Sequence, residues 1–253
     1  MEHWERQKVV HDSQFEAGSR GHVTSDNPLV RYLVRWRLMD AMRRLTTAAN
    51  GRISKSSKIL LMCGGEGLEG SILCDMGYRN VTVSDISERG VAEAIKRDSR
   101  LQGLVLNAER ADVESNSFEV VIVQDGLHHL QSPVQGFTEM LRIASTAVVF
   151  LEPHDSLIGK ILGTKWEKHD DAMNYVFRWT KKLVQDVASS YLGPDSFVNL
   201  SFSFWHHNIV YHRLGKMLGD GISALNIIRL IKFILDTTLG RAGNQFCGLI
   251  LKC

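Results

Sequence analysis

The stretch KILLMCGGEGLEGSILCDMGYRNVTVSD, residues 58–85, predicts the fold of most of this chain. It begins with a short apolar run, passes through a cluster of glycines and a helix-length segment, and ends in a second apolar run closed by Asp85. Glycines directly after a strand let the chain turn sharply and bring backbone N–H groups towards a ligand. A strand, a glycine loop, a helix and a second strand ending in an acid are typical of a nucleotide-binding βαβ unit.

The alternation of apolar runs and helix-length segments continues along the chain. Further strands are predicted at LVL (104–106), FEVVIVQD (118–125), AVVFLEP (147–153), FVNLSFSFW (197–205) and QFCGLIL (245–251). We therefore expect an α/β fold, a doubly wound, mostly parallel seven-stranded sheet with helices on both faces. Residues 1–50 are predicted to form an N-terminal helical lid segment. Residues 51–253 form the Rossmann-like domain, with a helical insertion at 206–243 before the last strand.

Composition narrows the class of protein. With 253 residues, 44% of them hydrophobic, and a net charge of +2, the chain suits one globular domain and gives no case for binding nucleic acid. The four cysteines form no C-x-x-C pair and no metal-ligand spacing, which favours a reduced, cytoplasmic protein without a metal site. Charged residues interrupt the apolar segment 222–239, so we expect no stable membrane insertion. The same segment offers a face for a possible homodimer.

The glycine pattern alone leaves the ligand open. Gly65-Glu66-Gly67-Leu68-Glu69-Gly70 is a G-x-G-x-x-G, which is typical of dinucleotide sites, but loops of nearly this shape also serve S-adenosylmethionine (SAM) enzymes. An acid at the position of Asp85 can accept both ribose hydroxyls of either ligand. A NAD-dependent oxidoreductase would need a catalytic pair such as Tyr-x-x-x-Lys, and none of the five tyrosines has a lysine four residues on.

Three segments of the sequence resemble segments of a known family. KILLMCGGEG, VTVSDIS and NAERADVESNSFEVVIVQDGLHHLQSP (107–133) resemble the first motif, the ribose-binding segment and the adenine loop with the fourth strand of the class I SAM-dependent methyltransferases. The resemblance covers about residues 55–155 and the last strand. It departs from the family pattern at Leu61, where an acid is usual, and at Cys63, where glycine is usual.

The resemblance implies a cofactor and the residues that bind it. The cofactor would be SAM, with S-adenosylhomocysteine as its product. The backbone of the glycine loop would meet the methionine part, the acid of the second strand the ribose, and the segment after the third strand the adenine. The implied cofactor-binding residues are Cys63, Gly64, Gly65, Gly67, Asp85, Ile86, Asn107, Ala108 and Gln124.

The implied activity is methyl transfer to a small-molecule acceptor, for which we expect a hydroxyl oxygen. Such an acceptor needs a base to remove its proton, and histidine suits that role near neutral pH. The candidates follow the fourth and fifth strands: His129 and His128 in L-H-H-L, and His154 in E-P-H-D. Two alternatives remain open, a catalytically silent SAM-binding protein, which the loss of the acid at Leu61 would suit, and a NAD-dependent oxidoreductase.

Overall fold

The structure is a computed structural model, and it describes most of the chain. The described residues are 28–162, 165–169, 172–194, 197–203 and 222–252, with the single residues Glu5, Lys8, Val9, Asp12 and Met217. Most of the predicted lid before residue 28, and residues 206–221 of the predicted insertion apart from Met217, lie outside the described residues.

The elements of the first half alternate as the apolar pattern predicts. They are α1 (Pro28–Ala49), β1 (Lys58–Met62), α2 (Leu68–Asp75), β2 (Asn80–Asp85), α3 (Glu88–Arg97), β3 (Gln102–Val105) and β4 (Phe118–Gln124). Ser87 starts α3 by accepting a hydrogen bond from the Gly90 N–H through its hydroxyl, and Asp98 follows its last residue.

The second half is less regular. It contains a short 3₁₀ turn (Leu127–His129), α4 (Pro133–Ile143), β5 (Ala144–Pro153), α5 (Leu157–Leu162), β6 (Trp166–His169), β7 (Ala172–Tyr175), α6 (Lys181–Leu192), β8 (Phe197–Ser203), α7 (Ile222–Leu239) and β9 (Gln245–Leu251). The sequence did not predict the hairpin of β6 and β7, whose two strands have four residues each and no apolar alternation.

Seven strands form one sheet in the order β3-β2-β1-β4-β5-β9-β8, which confirms the predicted fold class. Strands β1 to β5 pair in parallel, whereas β9 runs antiparallel to both β5 and β8. The carboxyl ends of β1, β2 and β4 therefore lie at one edge of the sheet, where open α/β folds bind their ligands. A dinucleotide-binding domain has the strand order 3-2-1-4-5-6 without an antiparallel strand at this place.

Two apolar layers cover the faces of the sheet. On one face α1, α2 and α3 pack against side chains such as Leu61, Val83 and Ile122, and on the other α4 and α6 pack against side chains such as Leu60 and Val121. Residue 50 was predicted to end a lid, but α1 is part of the core, since Leu38, Met42 and Leu45 are fully buried in the first layer. The lid assignment stays a prediction for the residues before α1.

Helix α7 confirms the helical prediction for 222–239 and lies against α1. Ile228 packs on Leu33, and the Lys232 ammonium lies 4.0 Å from the centroid of the Trp36 ring. Its opposite side exposes apolar side chains, among them Leu230 and Phe233, and the pairing of this side with a second copy stays a prediction. None of the described helices is long and apolar enough to cross a membrane.

Candidate active site

The loop after β1 has the backbone that its glycines predict. Gly65 and Gly67 have φ values of 48° and 75°, and Cys63 adopts a φ of 53° where the resembled family has glycine. The Gly64 N–H donates to the Ser84 carbonyl at 2.8 Å, which joins the loop to the end of β2. A Cβ on Gly64 would lie 2.7 Å from the Val83 side chain. Glycine at this position therefore allows a close approach of loop and sheet.

The loop requires glycine at Gly67 for two reasons. Besides its positive φ, an added Cβ would lie 2.6 Å from the Ala94 Cβ on α3, whereas Gly77 has a φ of 92° but only the Lys55 side chain, at 3.9 Å, near the same place. We expect Gly67→Ala to lower the free energy of unfolding by ~1–2 kcal/mol more than Gly77→Ala, because only the first substitution adds a steric clash to the backbone strain. Urea denaturation of both variants measures this difference, and equal losses would contradict the close packing of the loop on α3.

Asp85 ends β2 beside this loop. Its carboxylate accepts hydrogen bonds from the Gly65 N–H at 2.9 Å and the Ser87 N–H at 3.0 Å, and its backbone carbonyl accepts from the Leu106 N–H. The carboxylate is half-buried, and Ile86 beside it is also half-buried. The structure thus brings together the loop, the acid and the end of β3, as the sequence predicted for a nucleotide site.

The segment after β3 forms a tight turn. The Asn107 side-chain oxygen accepts from the Glu109 N–H at 2.9 Å, and Ala108 is buried beside Leu106 in the second apolar layer. Glu109 fixes the turn on α4, because its carbonyl accepts from the Gln135 amide at 2.8 Å. The predicted adenine contacts of Asn107 and Ala108 stay a prediction, and the turn keeps both residues next to the end of β3.

The loops after β1 and β4 touch each other. A Cβ on Gly126 would lie 2.5 Å from the Cys63 Cβ. Burial, and then the negative charges of Asp85 and Glu152, raise the pKa of the Cys63 thiol well above its usual value, so this side chain is a neutral thiol at neutral pH. Gln124, the last residue of β4, is buried, and its amide nitrogen donates to Glu69 at 3.3 Å.

A buried carboxylate at the end of β5 organises the L-H-H-L turn. Glu152 is fully buried and accepts from the N–H groups of Gly126 and Leu127, both at 2.8 Å, and from the N–H of His128 at 3.2 Å. Its second oxygen also lies 2.8 Å from Nδ1 of the His128 ring. The sequence placed Glu152 at a strand end, but its four contacts follow from the fold.

The three predicted bases differ in their surroundings. His128 is buried under the turn, while His129 is half-buried, with its ring centroid 4.1 Å from that of His128. His154 is also half-buried, with Nδ1 2.8 Å from the Gly243 carbonyl and its ring centroid 5.9 Å from that of Phe246. Burial lowers the pKa of His154 below its usual value, so its ring is neutral at pH 7.

An ion pair that the sequence did not predict joins α1 to the site. Arg37 is 4% exposed, and its guanidinium donates to both carboxylate oxygens of Asp125, at 2.6 and 3.2 Å, and to the Gln245 side-chain oxygen at 2.8 Å. The pair connects the core helix α1, the end of β4 and the start of β9. The two partners are 88 residues apart in sequence, so no local pattern could have revealed them.

Three further arginines of α1, Arg35, Arg43 and Arg44, lie on its surface. Arg35 pairs with Asp75 at 3.2 Å, and both Arg43 and Arg44 pair with Asp40. These ion pairs favour a solvated helix face over an acceptor site.

Two cavities flank α1. One of about 280 Å³ lies between α1, α7 and the start of β9, and Arg37, Leu151, Gln245 and Phe246 are among its lining residues. A larger one, of about 620 Å³, has Lys55 and Tyr78 in its wall, and these residues precede β1 and β2. Only the smaller cavity therefore reaches the carboxyl ends of the strands. Within the described part of the chain, no group of three or more His, Cys, Asp or Glu side chains is placed to hold a metal ion.

The family comparison agrees with this geometry. Residues 61–150 match the family model described as "Methyltransferase domain", a stretch that runs from β1 into β5 and includes the glycine loop, Asp85, the turn after β3 and the L-H-H-L turn. Residues 61–150 are thus similar to a methyltransferase domain, and the chain has the fold of the class I SAM-dependent methyltransferases. In this fold the antiparallel β9 lies between β5 and β8, so the NAD interpretation of the glycine pattern is not supported.

Solved structures share the fold of this chain over nearly its whole length. Magnesium protoporphyrin IX methyltransferase from Synechocystis PCC 6803, with bound S-adenosylhomocysteine, superposes with a TM-score of 0.62 at 10% identity, covering 98% of this chain and 99% of the other. Phosphoethanolamine N-methyltransferase 2 of Haemonchus contortus, in complex with SAM, gives 0.56 at 14% identity, covering 96% of this chain and 60% of the other.

A third similar structure is named for a different reaction. The [4+2]-cyclase SpnF gives a TM-score of 0.54 at 13% identity, covering 83% of this chain and 80% of the other. A search of curated protein sequences found no significant match to this chain. At such identities the likeness establishes the fold alone.

Proposed function

We propose that this protein transfers the methyl group of SAM to an oxygen atom of a small-molecule acceptor. The observation that carries the proposal is the contact between the loops after β1 and β4, at Cys63 and Gly126. This contact puts the glycine loop and Asp85 on one side of a common edge and the histidine turn held by Glu152 on the other. A donor site and a base then share one edge of the sheet, as a displacement requires.

The residues at this edge suit SAM. Asp85 would meet the ribose, since its carboxylate is half-buried and tied by the Gly65 N–H to the loop that would meet the methionine part. Asn107 and Ala108 would meet the adenine, with Ile86 packing on the ring. The side-chain oxygen of buried Gln124 has no hydrogen-bond partner among the described residues, and such an atom fits a ligand that brings a donor. Cys63, Gly64 and Gly67 would line the methionine part with backbone.

Bound SAM supplies a methyl group on a positively charged sulfur. The chain's own part is to hold the acceptor in line and to take its proton. We assign proton transfer to His129, because it is the more exposed ring of the pair and lies against His128. His128 would position it from below, since its Nδ1 faces the Glu152 carboxylate. His154, a neutral ring half-buried after β5, is the rival base.

The acceptor is proposed to reach this edge through the cavity of about 280 Å³ beside Arg37. Pockets for small molecules begin at roughly 300 Å³, so a volume of this size favours a small acceptor. The relatives name acceptors as different as magnesium protoporphyrin IX and phosphoethanolamine, and the fold therefore does not select among acceptors.

The N-terminal segment is proposed to cover the donor site. Two of its described residues reach the start of α3 next to Asp85: Lys8 pairs with Glu88 at 3.1 Å, and Asp12 accepts from the Ser87 hydroxyl. A segment held there would exclude water from the reacting groups.

The base assignment gives a prediction. We expect His129→Gln to lower the methyl-transfer rate by about 100-fold and to flatten the acidic limb of the pH–rate profile, because the variant lacks the group that takes the proton. Its affinity for S-adenosylhomocysteine should stay within about twofold of the wild type, since the ring is not assigned to the donor site. If His154→Gln showed this loss of rate and His129→Gln did not, His154 would be the base.

The activity is tested by transfer of labelled methyl from SAM to a panel of phenols, alcohols, carboxylic acids and amines. Label on a hydroxyl oxygen supports the proposal, and label on amines or carboxyl oxygens alone contradicts an acceptor whose proton a histidine removes. Binding of SAM without transfer to any acceptor would favour the second candidate, a catalytically silent protein. The observation behind that candidate is Leu61, which is buried where the resembled family has an acid.

A further inference from the structure

A buried carboxylate lies at the start of α2, the helix that packs on the apolar layer to which Leu61 belongs. The Leu61 side chain lies on the face of the sheet that α2 covers. Leu61 and the buried apolar side chains of α2 belong to the same apolar layer. Glu69, the second residue of α2, is only 8% exposed although it carries an ionisable group. Buried carboxylates without a cationic partner are rare, because burial disfavours their charged form.

Glu69 and Gln124 face each other across the end of β4. The Gln124 amide nitrogen donates to the Glu69 carboxylate at 3.3 Å, so the amide oxygen is the end of that side chain left for another group. That oxygen is buried, in a residue 7% exposed, and has no partner among the described residues. The site thus contains two hydrogen-bond acceptors, the Glu69 carboxylate and the Gln124 amide oxygen. A ligand with several hydrogen-bond donors would satisfy both.

An ammonium group satisfies both acceptors. It carries three N–H donors and a positive charge, which suits one carboxylate oxygen and one amide oxygen together. The α-amino group of the methionine part of SAM is such a group, and the glycine loop proposed to hold the methionine part leads directly into α2. We propose that Glu69, with the side-chain oxygen of Gln124, binds the amino group of SAM and replaces the missing acid at Leu61.

This inference rests on the proposed use of SAM and assigns a residue that the family pattern does not contain. The charged groups that face Glu69 are Asp125 after β4, Arg37 on α1 and Arg97 on α3. Desolvation is the main cause that raises the pKa of Glu69, to about 7. A hydrogen bond from its own backbone N–H lowers the pKa, Asp125 raises it, and Arg37 and Arg97 lower it. Arg37 and Arg97 are already paired, with Asp125 and Glu66, so neither is a dedicated partner for Glu69.

The amino group should therefore displace a proton when it binds. At pH 7 a carboxyl with a pKa of about 7 is half protonated, and an ammonium beside it favours the charged carboxylate. We expect S-adenosylhomocysteine to release about half a proton at pH 7 on binding to the wild type. 5′-Methylthioadenosine, which lacks the amino acid part, should release none.

The test is calorimetric titration with both ligands in phosphate and in Tris buffer, since the two buffers differ in ionisation enthalpy and reveal the proton count. The variants are Glu69→Gln and, as the matched control, Glu93→Gln, which removes a half-exposed carboxylate from the neighbouring α3. We expect Glu69→Gln to weaken S-adenosylhomocysteine about 10- to 100-fold and to abolish proton release. Its affinity for 5′-methylthioadenosine should stay within about twofold, which also shows that the variant is folded.

The outcomes separate this inference from the function on which it rests. Wild-type affinity and wild-type proton release in Glu69→Gln would overturn the role of Glu69 while leaving SAM binding intact. Equal losses for both ligands would also overturn it, because the residue would then act on the whole pocket. If the wild type binds neither ligand, the proposed function fails and this inference fails with it.

Discussion

Glu152→Ala is expected to lower the free energy of unfolding by about 3–5 kcal/mol. The carboxylate is fully buried and is the acceptor for three consecutive backbone N–H groups, those of Gly126, Leu127 and His128. Removing it leaves these donors without a partner in the interior, and each unsatisfied buried donor costs about 1–3 kcal/mol. The His128 ring also loses its contact at Nδ1.

Urea denaturation followed by circular dichroism measures this loss. Glu139→Ala is the matched control, because Glu139 also accepts from one backbone N–H, that of Ala111, but its side chain is 19% exposed. We expect the control to lose about 1 kcal/mol. Equal losses in the two variants would contradict the role of Glu152 as the organiser of the histidine turn.

Glu69→Gln is expected to stabilise the protein at alkaline pH. The ordinary pKa of the carboxyl is 4.5 and its value in the folded protein is about 7, a difference of about 2.5. The folded state holds more protons than the unfolded chain between these values, so the free energy of unfolding falls as the pH rises from 4.5 to 7. Above pH 7 the whole cost, about 3 kcal/mol, is present.

Glutamine has nearly the size of glutamate and no charge, so the variant escapes this cost. At pH 8 we expect Glu69→Gln to exceed the wild type by up to about 3 kcal/mol, and at pH 4.5 we expect the difference to vanish. Urea denaturation at both pH values measures it, with Glu93→Gln as the control that should show no such dependence. A Glu69→Gln variant less stable than the wild type at pH 8 would contradict a buried carboxylate without a dedicated cation.

The two expectations for Glu69 belong together. A residue that lowers stability in the free protein and raises affinity for a ligand is typical of a binding site. Saturating S-adenosylhomocysteine should therefore stabilise the wild type more than it stabilises Glu69→Gln.

The local pattern of apolar residues was enough to predict the strands of the sheet. The runs that became β1, β2, β4, β5 and β9 are apolar over the length of a strand, and a strand buried on both faces needs little else. The glycine loop and Asp85 were equally local, because a tight turn after a strand leaves glycines and a terminal acid in a fixed order. The predicted ends of these strands agree with the structure to within one residue, except that β5 begins at Ala144, three residues before its predicted start.

The features that the sequence missed depend on contacts between distant segments. No local pattern distinguishes Arg37 from the other basic residues of its helix, and only the packing of α1 on the sheet brings it to Asp125. Glu69 was read as a variable position of the glycine pattern, and its burial depends on α2 meeting the end of β4. The hairpin of β6 and β7 was missed because its exposed Trp166 and Tyr175 give no alternation.

The central claim is that SAM binds at the edge formed by the glycine loop and Asp85. One measurement tests this claim directly. It is a calorimetric titration of the wild type and Asp85→Ala with S-adenosylhomocysteine and with NADH. We predict binding of S-adenosylhomocysteine to the wild type, a loss of about 10- to 100-fold in the variant through the ribose hydrogen bonds, and no binding of NADH. Binding of NADH alone, or equal binding of S-adenosylhomocysteine to both proteins, would contradict the account.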